Sequence, residues 1–75
     1  MMHPTQFFIR HLTLYGERCL CIIAVRNEGD HIKVSVRQCN GETLDTVNTY
    51  PADTFKPIET MVREIIETVE CATPF

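Results

Sequence analysis

The sequence predicts an α+β fold: a four-stranded antiparallel β-meander with one C-terminal α-helix packed on one face of the sheet. Short apolar-rich runs fill residues 7–50, and turn-forming clusters separate them. Residues 55–69 instead repeat apolar side chains at helical spacing. The 75 residues, 44% of them hydrophobic and 23% charged, suit one globular core, so we expect a single domain over residues 1–75.

Residues 7–15 are the first predicted strand. Its alternation puts Phe8, Leu12 and Leu14 on one face and Phe7, Ile9 and Tyr15 on the other. A short helix over residues 4–12, opened by Pro4, is the alternative. We prefer the strand because the segment ends in residues that favour strands.

The second and third strands form the central hairpin. Residues 18–26 are apolar on both faces between two arginines, as in a covered central strand, and residues 31–38 alternate strictly. The cluster at residues 27–30 predicts a four-residue turn that pairs Arg26 with His31. On the resulting apolar face Val25 opposes Ile32, Ile23 opposes Val34 and Cys21 opposes Val36. The other face carries Leu20, Ile22 and Ala24 beside Lys33, Ser35 and Arg37.

Asn40-Gly41 predicts the turn into a fourth strand over residues 42–50. A three-residue loop places Leu44 on the core face opposite Val36, whereas a two-residue loop places Asp45 there. Burying a carboxylate is costly, so we prefer the three-residue loop.

The C-terminal helix is predicted to start at Asp53 or Thr54 as N-cap, with Pro57 in its first turn. Its apolar stripe is expected to cover the sheet. The stripe consists of Phe55, Ile58, Val62, Ile65 and Val69, flanked by Met61 and Ile66.

The sequence contains no recognisable pattern of metal-binding, phosphate-binding or catalytic residues. The cysteines lack the usual spacing of zinc ligands, and there is no glycine-rich phosphate loop. One sheet with one helix offers little concavity for paired carboxylates. We therefore expect no enzymatic activity, no metal and no cofactor.

The start of the chain lacks a signal-peptide pattern, and no apolar run is long enough to span a bilayer. We therefore expect a cytoplasmic protein without a membrane partner. Its cysteines should be reduced thiols packed as small hydrophobes. They are Cys19, Cys21, Cys39 and Cys71.

An apolar strip on the face away from the helix predicts a binding surface. One helix covers only one face, so Leu20, Ile22 and Ala24 need another cover. The first segment, a second copy of the chain or a foreign protein could supply it. The basic groups on the same face are Arg26, Lys33 and Arg37.

Nucleic acid is an alternative partner, for which one face of the sheet would present His31 and Tyr50 as stacking groups. The basic groups expected to share that face are Arg10, Arg18, Arg26, Lys33 and Arg37. The net charge of −3 and the isoelectric point near 5.5 rank it below a protein partner. The acidic excess lies in residues 51–75, which leaves a neutral sheet half and an acidic helix half.

Several short runs follow one another at nearly even gaps: Phe8-Ile9-Arg10-His11-Leu12, Ile23-Ala24-Val25, Gly29, His31-Ile32-Lys33-Val34, Val36 and Asn40-Gly41. In this order they resemble small phage anti-CRISPR proteins directed at the type I-F surveillance complex. The resemblance, over residues 8–41, implies a monomeric sheet-plus-helix protein. Such a protein would bind a backbone subunit of the CRISPR complex and block target DNA from pairing with the guide.

The binding residues of that family are not retained in this chain. Its two binding tyrosines fall at His11 and Arg26, and its binding glutamate falls at Arg37. A second resemblance is to the E protein of plasmid cassettes that carry ParB-related and ThiF-related genes, which also looks like a sheet followed by a helix.

The sequence thus predicts a small non-catalytic inhibitor of phage or mobile-element origin that binds a host protein or nucleoprotein complex in the host-cell cytoplasm. The predicted partner-binding residues are His11, Leu20, Ile22, Arg26, Lys33 and Arg37. The alternatives are a nucleic-acid-binding module and a homodimeric structural or plasmid-cassette protein.

Overall fold

A computed structural model describes residues 4–74 and contains four strands and one helix. The elements are β1 (Thr5–Leu14), β2 (Glu17–Asn27), β3 (His31–Cys39), β4 (Val47–Pro51) and α1 (Ile58–Ala72). The strands form one antiparallel sheet in the order β1-β2-β3-β4, and α1 packs on it through β1, β2 and β3. The predicted meander with a C-terminal helix is therefore confirmed.

The first segment is a strand, so the alternative of a short helix over residues 4–12 is wrong. The predicted alternation determines which side chains reach the core. Leu12 and Leu14 are buried and Phe8 is half-buried, whereas Phe7 and Ile9 remain exposed. These five side chains are therefore distributed between the two faces of the sheet as predicted.

The β2–β3 hairpin forms with a register that differs from the predicted one. Arg26 pairs with Lys33 and not with His31. The turn is two residues shorter than predicted, because the N–H of Glu28 donates to the carbonyl of His31 at 2.8 Å and Gly29 supplies a positive φ of 98°. An even shift keeps every side chain on its face, so the predicted core face forms despite the wrong register.

A β-bulge interrupts this hairpin at Arg37. Ile22 pairs with Gln38 while the next residue of β2, Ile23, pairs with Val36, so Arg37 has no opposing residue on β2. A bulge changes which side chains face which side of a strand. Beyond it, the odd-numbered Cys39 shares the core face with the even-numbered Val36.

The bulge also places Cys39 directly opposite Cys21, and a disulfide joins the two. The prediction of four reduced thiols is therefore wrong for this pair. The predicted register had put Val36 opposite Cys21, which left no partner for a disulfide. The free cysteines are Cys19, which is buried, and Cys71, which is exposed.

Residues 40–41 form the predicted turn, but with a two-residue loop rather than the preferred three-residue loop. Both residues have positive φ, 51° and 84°, and Cys39 and Glu42 exchange backbone hydrogen bonds of 2.8 and 2.9 Å. Asp45 nevertheless stays exposed, because the chain leaves the sheet after Glu42 and re-enters it only with β4. Leu44 packs against the core from this irregular segment.

The helix α1 starts at Ile58 with Pro57 as its N-cap, so the prediction of Asp53 or Thr54 as N-cap is wrong. A residue that precedes a proline is disfavoured in the helical conformation, which keeps the chain extended up to Pro57. Consequently Phe55 lies outside the helix and is fully exposed, although it was assigned to the apolar stripe.

The hydrophobic core lies between α1 and one face of the sheet. The helix contributes Met61, Val62, Ile65 and Val69, all buried. The sheet contributes Leu12, Leu14, Cys19, Cys21, Ile23, Val25, Val34, Val36 and Cys39. Burial on this side follows from the alternation of side chains along each strand.

A polar cluster ties β4 to α1. The hydroxyl of Tyr50 donates to Glu64 Oε1 at 2.6 Å, and Lys56 Nζ lies 3.1 and 3.0 Å from the two carboxylate oxygens of Glu64. Burial, and then the hydrogen bond to Glu64, raises the pKa of Tyr50. Hydrogen bonds from Tyr50 and Lys56 lower the pKa of Glu64. Tyr50 thus lies on the helix side, which contradicts its predicted role as a stacking group on the basic face.

Truncation of the helix at its most buried position should destabilise the protein strongly. Ile65 is fully buried, so Ile65→Ala leaves a cavity, and we expect a loss of about 2–5 kcal/mol in the free energy of unfolding. Urea denaturation measures it. The matched control is Glu67→Ala on the exposed side of α1, which should stay within about 0.5 kcal/mol of wild type. Equal effects of the two variants would contradict this packing.

The Tyr50–Lys56–Glu64 cluster should make stability depend on acidic pH. Because the pKa of Glu64 is lowered in the folded protein, its contribution is complete above the pKa of the unfolded chain and disappears as pH falls through the folded pKa. The stability advantage of wild type over Glu64→Gln should therefore shrink from pH 7 toward acidic pH in urea denaturation. A Glu67→Gln control should show no such trend, and a Glu64→Gln difference that is independent of pH would contradict the cluster.

Candidate partner-binding surface

We call the side of the sheet opposite α1 the outer face. Side chains alternate along each strand, so the residues between the core residues point to this side. Its members are Thr5, Phe7, Ile9, His11 and Thr13 of β1, Arg18, Leu20, Ile22, Ala24 and Arg26 of β2, His31, Lys33 and Ser35 of β3, and Val47, Thr49 and Pro51 of β4. Arg37 and Gln38 join them at the bulge.

The outer face exposes neighbouring apolar side chains on β1 and β2 and one further apolar side chain on the far edge strand β4. Phe7 and Ile9 are each 61% exposed, Leu20 is 49% exposed and Val47 is 48% exposed. Ile9 pairs directly with the half-buried Ile22 across β1 and β2. Large apolar side chains exposed next to one another mark an interaction surface more often than isolated ones do.

Cationic groups border this apolar strip. Arg26 and Lys33 pair directly across β2 and β3, although like charges at such positions repel each other. Glu28 Oε1 lies 3.5 Å from Arg26 Nε and partly neutralises the pair. Arg37 lies on the same face by the alternation of β3, and the bulge that follows adds Gln38 to it.

Two shallow depressions on the outer face meet at Phe7 and Arg37. The larger has a volume of about 600 Å³ and is lined by Phe7, Ile9, Ile22, Arg37, Gln38 and Thr43. The smaller has a volume of about 110 Å³ and is lined mostly by the polar and charged residues around Arg26 and Lys33. An aromatic side chain and an arginine thus line both depressions, where the apolar and cationic parts of the surface meet.

The six residues that the sequence predicted for partner binding all lie on the outer face. His11 and Leu20 pair across β1 and β2 near one end of the sheet, and Arg26 and Lys33 lie near the other. Ile22 lies between them, and Arg37 occupies the bulge. The structure therefore brings the predicted residues into one surface.

Sequence reasoning missed Phe7, Ile9 and Val47 as members of this surface. The sequence did indicate Phe7 and Ile9, because the alternation of residues 7–15 places them on the face that does not carry Phe8. Within residues 4–74 the first segment does not fold over the apolar strip. It lies beside β2 in the sheet and adds its own apolar side chains to the strip.

The two sides of the molecule differ in charge. The basic groups of the outer face are Arg18, Arg26, Lys33 and Arg37, whereas α1 carries Glu59, Glu64, Glu67 and Glu70. Arg10 was predicted on the basic face with the other four cations, but this is wrong: it pairs with the core residue Cys21 and lies on the helix side, 3.7 Å from Glu59. The outer face is therefore the more basic side of the molecule, and the helix side is the more acidic one.

Among residues 4–74, no three histidine, cysteine, aspartate or glutamate side chains lie close enough to hold a metal ion. In the same part of the chain, no helix is long and apolar enough to cross a membrane. Comparisons with protein-family models, with curated proteins and with solved structures find no match.

Proposed function

We propose that this chain is a small non-catalytic binding protein that uses its outer face to bind an acidic surface of a host protein or nucleoprotein complex and inhibits it. The observation that supports this proposal is the exposed apolar strip, with cations along its border, on the side of the sheet that α1 leaves uncovered. Aromatic and arginine side chains carry much of the binding energy at protein interfaces, and Phe7 and Arg37 supply one of each.

The resemblance to anti-CRISPR proteins supports the inhibitory role and a phage or mobile-element origin. The three positions onto which the binding residues of that family map are His11, Arg26 and Arg37, and all three lie on the outer face. A glutamate of the family corresponds to Arg37, which reverses the charge at that position. The partner of this chain should therefore present a carboxylate where a partner of the family presents a cation.

A nucleic acid is the second candidate partner for the same surface. Its support is the juxtaposition of the exposed Phe7 ring, on which a base could stack, with Arg37, which could bind a phosphate. The acidic helix side and the isoelectric point near 5.5 favour the protein partner.

We place this activity in the cytoplasm of the host cell, as inhibition of an intracellular complex requires. Disulfides are rare in that compartment because cellular thiols reduce them. The Cys21–Cys39 bridge is consistent with the proposal because both residues are buried, at 0% and 3% exposure, and limited access slows thiol–disulfide exchange.

Charge reversal on each side of the molecule tests the proposal. The probe is the partner that the tagged chain captures from host lysate, purified and titrated by calorimetry. Arg37→Glu should weaken binding by about tenfold or more, because it places a carboxylate between the two depressions of the outer face, against an acidic surface. Arg63→Glu makes the same charge change on the exposed side of α1 and should leave affinity within about threefold.

Both variants should keep the wild-type thermal midpoint, since both side chains are exposed. Equal weakening by Arg37→Glu and Arg63→Glu would contradict the proposal.

A single-stranded oligonucleotide serves as the second probe. Binding of the oligonucleotide that falls steeply with added salt and disappears in Arg37→Glu would replace the protein partner by a nucleic acid.

A further inference from the structure

The edge strand β1 exposes backbone hydrogen-bonding groups along more than half of its length. The N–H of Asn27 donates to the carbonyl of Pro4 at 3.3 Å, so the even-numbered residues of β1 direct their backbone groups toward β2. The odd-numbered residues, among them Phe7 and Ile9, therefore direct theirs away from the sheet. This is the arrangement that accepts another strand.

Within residues 4–74, other parts of the chain protect this edge at its C-terminal end. There the N–H of Thr13 donates to Glu70 Oε2 at 2.7 Å, and the N–H of Tyr15 donates to the carbonyl of Thr73 at 3.0 Å. Between residues 5 and 11, the one contact that the described part of the chain makes to an outward group is from Arg10 Nη1 to the carbonyl of Ile9, at 2.9 Å. A carbonyl has two lone pairs and can accept a second hydrogen bond.

The segment from residue 5 to residue 11 has few of the devices that usually block an edge, and the charged Arg10 is the exception. It contains no proline or lysine, and its register with β2 has no bulge. By contrast, β4 at the other edge has five residues and ends at Pro51, which has no N–H to offer. Among residues 4–74, the edge at β1 is therefore the longer and the less protected of the two.

The order of side chains in this segment is symmetric in polarity about Phe8. Phe7 and Ile9 flank it, Gln6 and Arg10 follow outward, and the segment ends in Thr5 and His11. A strand that pairs antiparallel with its own copy places residues at equal distances from the centre opposite each other. Each apolar residue would then face an apolar residue and each polar residue a polar one.

We propose that a second copy of this chain binds at this edge, with the two β1 strands antiparallel about a two-fold axis through Phe8. Phe7 then exchanges backbone hydrogen bonds with Ile9 of the second copy, and Thr5 with His11 of the second copy. These are the outward residues, so the β1–β2 ladder is unchanged. On the helix side the two half-buried Phe8 rings adjoin, and aromatic cross-strand pairs of this kind are favourable.

Charge favours a second copy at the edge over a second copy on the outer face. The guanidinium of Arg10 lies over the ring of Phe8, 5.5 Å from its centroid, and 3.7 Å from Glu59, so pairing at the edge brings no uncompensated cations together. Stacking two outer faces would instead bring Lys33 and Arg37 of both copies together. Edge pairing gives a continuous eight-stranded sheet whose two outer faces remain open for the proposed partner.

Sedimentation of the full chain over a wide range of concentration tests this dimer. We expect the mass to rise from 8.6 kDa toward twice that value and no further. Ile9→Pro removes an outward N–H that the β1–β2 ladder does not use, so it should fold and stay monomeric at every concentration. Ile9→Ala removes the same side chain but keeps the N–H, and it should still dimerise, although more weakly.

Amide hydrogen exchange of the wild-type chain provides a test that does not depend on a variant. The amides of Phe7 and Ile9 should exchange more slowly at high protein concentration than at low concentration, whereas those of Phe8 and Arg10, which bond to β2, should not change.

A mass of 8.6 kDa at every concentration would overturn the proposal, as would association that continues beyond the dimer. Dimerisation that persists in Ile9→Pro but is lost in Leu20→Asp would place the second copy on the outer face and would equally overturn it. Arg37→Glu should leave dimerisation intact, so failure of this inference and failure of the proposed function are distinguishable.

Discussion

A single helix can cover only one face of a four-stranded sheet, and the other features of this molecule depend on that constraint. The 15 residues of α1 pack on the side that carries Leu12, Ile23 and Val36, and they bury it. The opposite side keeps its apolar side chains in contact with solvent. Stability therefore depends on one side of the sheet, and the other side is available for binding.

The faces of the sheet could be predicted because side-chain alternation is a local property of the sequence. The registers could not, since they depend on turn conformations. The residues around Gly29 are compatible with a two-residue turn or a four-residue turn. The residues around Arg37 are likewise compatible with a bulged strand or a regular strand. The disulfide was missed for the same reason, because only the bulge brings Cys39 opposite Cys21. The two-residue error in register did not move any residue of the predicted surface to the other face.

The strand β1 connects the two proposed interactions. Its odd-numbered residues contribute apolar side chains to the outer face and direct their backbone groups toward the open edge. Phe7 and Ile9 therefore take part in both. In a dimer paired at this edge, two outer faces would lie side by side in one sheet and could engage a partner at two points, which increases the apparent affinity without new kinds of contact.

The central claim, that the outer face is the binding surface, can be tested by isoleucine-methyl NMR of the chain with and without its purified partner. Ile9 and Ile22 report on the outer face, and Ile58 and Ile66 report on the helix side. The claim predicts that the methyl signals of Ile9 and Ile22 shift or broaden on binding while those of Ile58 and Ile66 stay in place. Changes confined to Ile58 and Ile66 would contradict it.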